Sequence, residues 1–356
     1  MEKRIKRLRE ELKERNLDGI LITHSSNRRY ITGFTGSAGN VLVTQHDAFL
    51  VTDFRYTEQA AEQAKYFTIV NQEDSMLKKL KELVAKTGIH TLGFEQDYVP
   101  YSQYKQFEEN FQPVTLVPLS QVLESIRMIK DEQEIQLIRK AAVIADQAFS
   151  HVLKVIKPGM REIEVALELE CKMRQLGAQG ASFDTIVASG VRSALPHGVA
   201  SDKVIEVGDF VTMDFGAIYQ GYVSDITRTI AIGKVNEKQR EIHNIVLEAQ
   251  LNGVHHVKAG MTGKEADALT RSIISRYGYG EYFGHSTGHG IGLDVHEGPG
   301  LSMKSEVILK PGMIVTIEPG IYISKFGGVR IEDDVLITEH GVEVLTHSPK
   351  ELIIIE

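Results

Sequence analysis

A single cysteine, Cys171, stands in 356 residues. No internal disulfide can form, so a disulfide-stapled scaffold is excluded and the usage fits a reducing compartment. Long apolar runs are missing too; none approaches the roughly 18 residues of a membrane-spanning helix. The opening M-E-K-R-I-K-R-L-R-E-E-L carries charge throughout, and no secretory signal is expected from it. Nor is positive charge in excess. The formal net charge is −8, against a dedicated nucleic-acid binder. The basic run Lys3–Arg9 is bracketed by Glu2, Glu10 and Glu11, as on a solvated helix face. The expectation is a cytoplasmic globular protein with neither nucleic acid nor membrane as partner.

The length accommodates roughly two domains. Ile5, Leu8 and Leu12 recur on one face of a helix over 2–16. Strands are expected at 20–23, 41–44, 48–52, 68–70 and 91–94, with helices at 56–65 and 75–87. Residues 1–122 therefore read as a small α/β domain. The glycine-rich Y-I-T-G-F-T-G-S-A-G-N lacks a Gly-Lys-Ser/Thr ending and leads into a strand, so it reads as a tight turn, not a phosphate loop. Pro113 and Pro118 mark the junction. Residues 123–356 form the second domain. It opens on a long helix with Ile135, Ile138, Ala142, Ala145 and Phe149 on one face and Asp131 and Glu132 at its N-terminus.

This second domain repeats itself at an offset near one hundred residues. V-I-K-P-G-M-R-E-I-E (155–164) returns as H-V-K-A-G-M-T-G-K-E (256–265), and G-D-F-V-T-M-D-F-G (208–216) as P-G-M-I-V-T-I-E-P-G (311–320). Asp214 then answers to Glu318, Asp225 to Glu332, and His197 to His296. Architectural duplication alone does not explain an acid at the same strand position in both halves.

Those acids sit in otherwise apolar strands, where an ionised carboxylate is costly without a compensating cation. Alternation puts Asp214 on one face of 210–216 and Asp225 on one face of 223–230. A tight turn near Tyr219–Gly221 is expected to set the two opposite each other, with Cβ atoms about 4.5–5.5 Å apart. Glu318 and Glu332 make the second pair. Like charges that close need a cation or a shared proton. Four carboxylates with one imidazole favour two divalent ions, Mn²⁺ first, with Co²⁺, Fe²⁺ or Zn²⁺ as alternatives. Such a pair activates water and stabilises an oxyanion, which points to hydrolysis of an amide or ester. His289, crowded by Gly288, Gly290 and Gly292, is the candidate histidine ligand, because the glycines let backbone approach a metal. His197, His285 and His296 are candidate catalytic donors to a carbonyl or oxyanion. Arg330 orients a carboxylate or binds substrate; its plainer alternative is an ion pair.

Two competing motifs need weighing. G-H-S-T-G (284–288) fits the nucleophile elbow of a serine hydrolase around Ser286, but neither a good strand precedes it nor a good helix follows. His296-Glu297 is not followed by x-x-His, so the helical zinc-protease motif is absent.

Asp214, Asp225, His289, Glu318 and Glu332, in their G-H-G-I-G, E-P-G-I-Y and R-I-E-D contexts, resemble the five metal ligands of the pita-bread metallopeptidases. T-G-F-T-G-S-A-G and T-D-F-R-Y resemble the creatinase-type N-terminal domain of the proline-specific branch, the Xaa-Pro dipeptidases (prolidases) and Xaa-Pro aminopeptidases (aminopeptidase P). The resemblance implies an α+β chain: a small α/β creatinase-type N-terminal domain and a C-terminal pita-bread domain with an internal pseudo-two-fold repeat. It implies a homodimer and cleavage of the Xaa-Pro bond of dipeptides or short peptides by a metal-bridging hydroxide. Glu318 would be both ligand and proton shuttle, and Tyr322 and Arg330 would face the substrate. After H-E-G-P, where dipeptidases carry a basic residue, this chain has Gly300 with Lys304 nearby, so dipeptidase and aminopeptidase both stay open. A non-catalytic binding module of the same fold would be expected to have lost ligands, and all five are present.

Overall fold

Ile5, Leu8 and Leu12 are buried along one side of α1 (Glu2–Glu14), as their spacing requires. This computed structural model describes residues 1–356, which divide into two units, Met1–Arg127 and Met128–Glu356. In the first unit, α1 is followed by β1 (Gly19–Ile22), α2 (Ser25–Thr32), β2 (Asn40–Thr44), β3 (Ala48–Thr52), α3 (Thr57–Gln63) and β4 (Thr68–Asn71). Then come α4 (Met76–Thr87), β5 (Thr91–Glu95), α5 (Tyr101–Asn110), β6 (Thr115–Leu119) and α6 (Val122–Arg127). The six strands form one mixed sheet in the order β4-β3-β2-β1-β5-β6. Leu21, Leu42, Phe49 and Val51 of the sheet pack with Leu80, Leu83 and Val84 of α4.

Three helices, α2, α5 and α6, have no counterpart in the hydrophobic periodicity. In α2 the buried side chains include Asn27 and Arg28, and tertiary partners stabilise them. Asn27 donates to the buried Glu95 carboxylate (2.7 Å), and Arg28 donates to the Gly36 and Gly39 carbonyls. A helix that buries polar residues leaves no apolar stripe to read.

The second unit begins with the helix pair α7 (Glu132–Val152) and α8 (Glu162–Gln175), then β7 (Gly180–Ala181), β8 (Ile186–Ser189), β9 (Phe210–Phe215), β10 (Ala217–Tyr219), β11 (Tyr222–Val223) and β12 (Ile226–Ile232). A second helix pair follows, α9 (Glu237–His256) and α10 (Gly263–Arg276). The remaining strands are β13 (Gly288–Gly290), β14 (Glu297–Leu301), β15 (Ile314–Ile317), β16 (Gly320–Ile323), β17 (Gly327–Arg330), β18 (Asp333–Ile337), β19 (Val342–Val344) and β20 (Ile354–Ile355). Both halves thus run helix, helix, strand, long hairpin, which is the internal repeat. Capping boxes start three of these four helices at Asp131, Asn236 and Thr262, each satisfying two backbone donors.

The hairpin registers carry one correction. In the first, Asp214 pairs with Thr227, not with Asp225. The loop is Gln220–Gly221, since Tyr219 pairs with Tyr222 and Ile218 with Val223. Moving a two-residue turn by one position shifts the register by two. Asp225 is therefore Asp214's diagonal neighbour, two residues from Thr227. In the second hairpin Ile317 pairs with Asp333 and Gly320 with Arg330, so the same register sets Glu318 against Glu332.

One buried group sets an acid limit on this unit. His243 in α9 is fully buried, and neither ring nitrogen has a hydrogen-bond partner. Burial pushes its pKa down to about 4, against a weaker upward pull from Glu351. The folded state therefore prefers the neutral ring. The stabilisation is complete above pH 6.5 and is lost as pH falls towards 4, about 2 kcal/mol between pH 8 and pH 5. Urea midpoints measured at both pH values should fall in the wild type and separate much less in His243→Leu.

Candidate metal centre and catalytic cavity

A cavity of about 500 Å³ in the second unit is lined by Asp214, Asp225, His289, Glu318 and Glu332, together with His197, His285, His296 and Arg330. The two long hairpins supply the four acids, and β13 supplies His289. Tyr322 stands just behind the wall, hydrogen-bonded to His285 and Arg330. Every site residue singled out in the sequence is thus brought to one place.

The acids are crowded and short of donors. The nearest donor atoms of Asp225, His289 and Glu332 lie within 4.8 Å of one another. His289 Nε2 is 3.4 Å from Glu318 Oε1 and 3.7 Å from Asp225 Oδ2. Its Nδ1 is 3.1 Å from the Gly290 carbonyl. A proton on Nδ1 leaves the Nε2 lone pair facing two carboxylates, an arrangement that needs a cation. Asp214 Oδ1 and Asp225 Oδ1 are buried with no hydrogen-bond partner. Burial, then Glu332 and Asp214, push the Asp225 carboxyl well above the usual range, and burial, then Glu318 and Asp214, do the same to Glu332. Glu318 is raised to about 8, by burial first, with Arg330 pulling down and Asp214 pushing up. Orphaned acceptors, an inward lone pair and an oxygen-rich donor set fit divalent cations. Without one, burial and mutual repulsion drive Asp225, Glu318 and Glu332 to hold protons.

Arg330 is the only cation among these acids. Its Nη2 donates to Asp214 Oδ2 (2.6 Å), Nε to Thr227 Oγ1 (3.0 Å) and Nη1 to the Tyr322 hydroxyl (2.8 Å). Burial alone would depress it, but Tyr322, Asp214 and Glu318 outweigh burial and hold it charged. Tyr322 lies 2.8 Å from His285 Nε2, and His285 Nδ1 lies 2.8 Å from the Ser286 carbonyl. Both His285 nitrogens are therefore engaged within the protein. Burial and the charge of Arg330 lower His285 to about 4, so the ring is neutral and accepts from Tyr322. His296 stacks obliquely 4.4 Å from His289 and is lowered by burial and by that neighbour. His197 is exposed on the cavity wall.

The glycines around His289 do something other than expected. A Cβ on Gly288 would lie 1.9 Å from the Thr316 carbonyl oxygen, and one on Gly290 2.1 Å from that of Gly298. They let β13 fit between β14 and β15; close strand packing is their reason. The stretch around Ser286 runs from a bend into β13 with no helix after it, so the nucleophile-elbow geometry is not formed.

Six further residues contribute that were not singled out in the sequence. Thr227 donates to Glu332 Oε2 (2.5 Å) while accepting from Arg330. Asp334 Oδ2 accepts the Asp225 amide (2.9 Å). Phe183, Asp184, Pro196 and Val199 complete the wall from loops. Thr227 shares alternation with Asp225, which would have nominated it. Loop residues carry no period.

Residues 136–339 match the model of metallopeptidase family M24, and residues 4–129 match the creatinase/prolidase N-terminal domain. The chain belongs to metallopeptidase family M24. Its M24 relatives include the Xaa-Pro dipeptidase from Pyrococcus horikoshii, 46% identical with 99% of both chains covered. A solved Xaa-Pro dipeptidase from Bacillus anthracis is 57% identical, superimposes with a TM-score of 0.98 and is covered to 99% on both sides. The X-Pro aminopeptidase from Thermotoga maritima is 41% identical, with a TM-score of 0.92 and the same coverage. As an M24 metallopeptidase this protein is an enzyme that works with divalent metal, which answers the binding-module alternative. No helix is long and apolar enough to cross a membrane.

Proposed function

We propose that this M24 enzyme is an Xaa-Pro dipeptidase that hydrolyses the bond before proline, with two divalent ions held by Asp214, Asp225, His289, Glu318 and Glu332. The observation that carries the reading is the convergence of four buried carboxylates and one lone-pair-presenting imidazole on a cavity also lined by His197, His285 and His296. Proline dipeptides as substrates are supported by the names of the Pyrococcus and Bacillus anthracis relatives. Mn²⁺ is the first choice of ion because the donors are mostly hard oxygens. A homodimer in the cytoplasm completes the reading.

When bound, the cations supply Lewis acidity, which makes water a nucleophile near neutral pH and stabilises charge on the scissile oxygen. The chain does the rest. His197 and His296 donate to the scissile carbonyl as it becomes an oxyanion. Glu318 takes the proton of the attacking water at a carboxylate oxygen and hands it to the departing proline nitrogen. Arg330 fixes Asp214 and, through Tyr322, aligns His285. With its donors committed to Asp214, Thr227 and Tyr322, Arg330 acts as a positioning residue.

The test is hydrolysis of an Xaa-Pro dipeptide beside an Xaa-Pro-Yaa-Zaa peptide, each with Mn²⁺ and then with chelator. Chelator-sensitive cleavage of the dipeptide alone is expected. Preferential cleavage of the longer peptide would establish the aminopeptidase reading, which the likeness to the Thermotoga enzyme favours. Loss of neither activity on chelation would overturn the metal assignment.

A further inference from the structure

Eleven residues, 190–200, follow β8 and carry Pro196, His197 and Val199 to the cavity wall. Both ends of this loop are tied to one side chain. Glu162, the first residue of α8, is fully buried. Its Oε1 accepts from the Ser189 amide (2.7 Å) and hydroxyl (2.8 Å). Its Oε2 accepts from the Ser201 amide (3.2 Å) and hydroxyl (2.6 Å). Arg192, inside the loop, ion-pairs with Oε2 and donates from Nη2 to the Val199 carbonyl (3.0 Å). The start, middle and end of the segment therefore converge on one carboxylate, whose acceptor capacity is filled. A fully satisfied buried network of charge-assisted hydrogen bonds is rigid.

None of Glu162, Ser189, Arg192 and Ser201 lines the cavity. His197, by contrast, makes no side-chain hydrogen bond inside the protein. Its direction is set by the loop backbone, where the Val199 amide donates to the His197 carbonyl (2.9 Å). The other half of the domain uses the same device. Asp267 in α10 accepts from the Thr287 amide (3.0 Å) and hydroxyl (2.9 Å) and pairs with Arg271. Arg271 donates to the carbonyls of Phe283 (3.0 Å) and His285 (2.7 Å). The sequence repeat aligns Glu162 with Gly263, so the second clamp sits one helical turn later. Each half has its own carboxylate–arginine clamp behind a histidine-bearing loop.

We propose that Glu162 is a positioning residue for the reaction, acting through His197: its carboxylate holds residues 189–201 so that the imidazole stands at the scissile carbonyl. The proposal rests on the role given to His197 above. A misplacement of about 1 Å at such a group costs up to roughly 100-fold in rate.

The test is a double-mutant cycle of Glu162→Gln and His197→Ala, read as kcat/KM on an Xaa-Pro dipeptide with Mn²⁺, alongside metal content and thermal melting. Glutamine keeps the shape but gives up one acceptor oxygen and the charge facing Arg192. Each single change is expected to cost about 10- to 100-fold. Glu162→Gln should cost less than about twofold once His197 is gone, because coupled residues are non-additive. Metal content should not change, since the clamp touches no acid of the cavity. An equal cost in both backgrounds, or none in either, would overturn the proposal by showing that Glu162 does not work through His197. A His197→Ala enzyme as fast as wild type would overturn it too, and would locate the failure in the role of His197 itself. If Glu162→Gln does not fold, Ser201→Ala, which removes one hydrogen bond from Oε2, takes its place in the cycle with the same readings at smaller amplitude.

Discussion

Glu332→Gln is expected to lower peptidase activity by at least about 10³-fold while raising the melting temperature of the metal-free protein. The activity loss follows from losing a charged oxygen donor and, with it, several kcal/mol of stabilisation of developing charge. The stability gain follows from what Glu332 costs without metal. It is almost fully buried, and burial, Glu318 and Asp214 all oppose its ionisation. At neutral pH the folded, metal-free chain must either bind a proton there or bear the charge. Glutamine does neither, and its amide oxygen still accepts from Thr227. Each kcal/mol recovered raises Tm by roughly 2–4 °C in a domain of this size, so a shift of order 5 °C is expected. With metal the order reverses, since the wild type gains about 2.7 kcal/mol at 100 times Kd and the variant gains less. Calorimetric melts with chelator and with Mn²⁺ check both signs. A metal-free variant that melts below wild type would refute the crowding argument.

Metal binding at pH 7 is expected to expel about one proton or more, and the metal-free protein is expected to weaken as pH rises. Glu318 carries the argument, with its pKa raised from 4.5 to about 8. A carboxyl that holds its proton more tightly when folded favours folding below about pH 4.5, and that contribution drains away until pH passes about 8. At 1.36 kcal/mol per unit this is roughly 5 kcal/mol for Glu318 alone. Asp225 and Glu332 shift in the same direction and add to it. Ligation requires the deprotonated form, so the protons leave when the cation arrives. Titration calorimetry of Mn²⁺ into metal-free protein, in buffers of different ionisation enthalpy, counts them. A count of zero at pH 7, with a metal-free Tm flat from pH 5 to 8, would show that the acids are already ionised. This slope is opposite in sign to that of His243, so the two are separable: Glu332→Gln reduces the loss at high pH, and His243→Leu the loss at low pH.

The active centre was more legible in the sequence than the fold around it. A carboxylate inside an apolar strand is costly enough to be conspicuous, and Asp214, Asp225, Glu318 and Glu332 each stand in such a run. The histidine cluster and the near-hundred-residue repeat pointed to the same place. The first unit was harder to read. In α2 the buried groups include Asn27 and Arg28, stabilised by the distant Glu95 and by the Gly36 and Gly39 carbonyls of the turn that follows. No local pattern encodes that.

The sequence by itself determined which residues could not be content alone: four acids in apolar strands, with a histidine among them and more negative charge than Arg330 can offset. Desolvation acts on each residue type whatever surrounds it, so composition within a strand suffices to see it. Only the tertiary structure decided who compensates whom. Pairing register depends on where a two-residue turn falls, and it set Asp214 against Thr227 with Asp225 on the diagonal. Strand packing gave the glycines around His289 their purpose. Arg330 turned out to be committed to Asp214 and Tyr322, and Glu162 to the loop that carries His197. The contacts of Arg330 with Asp214 and of Glu162 with its loop join residues tens of positions apart, and they exist only after the chain has closed on itself.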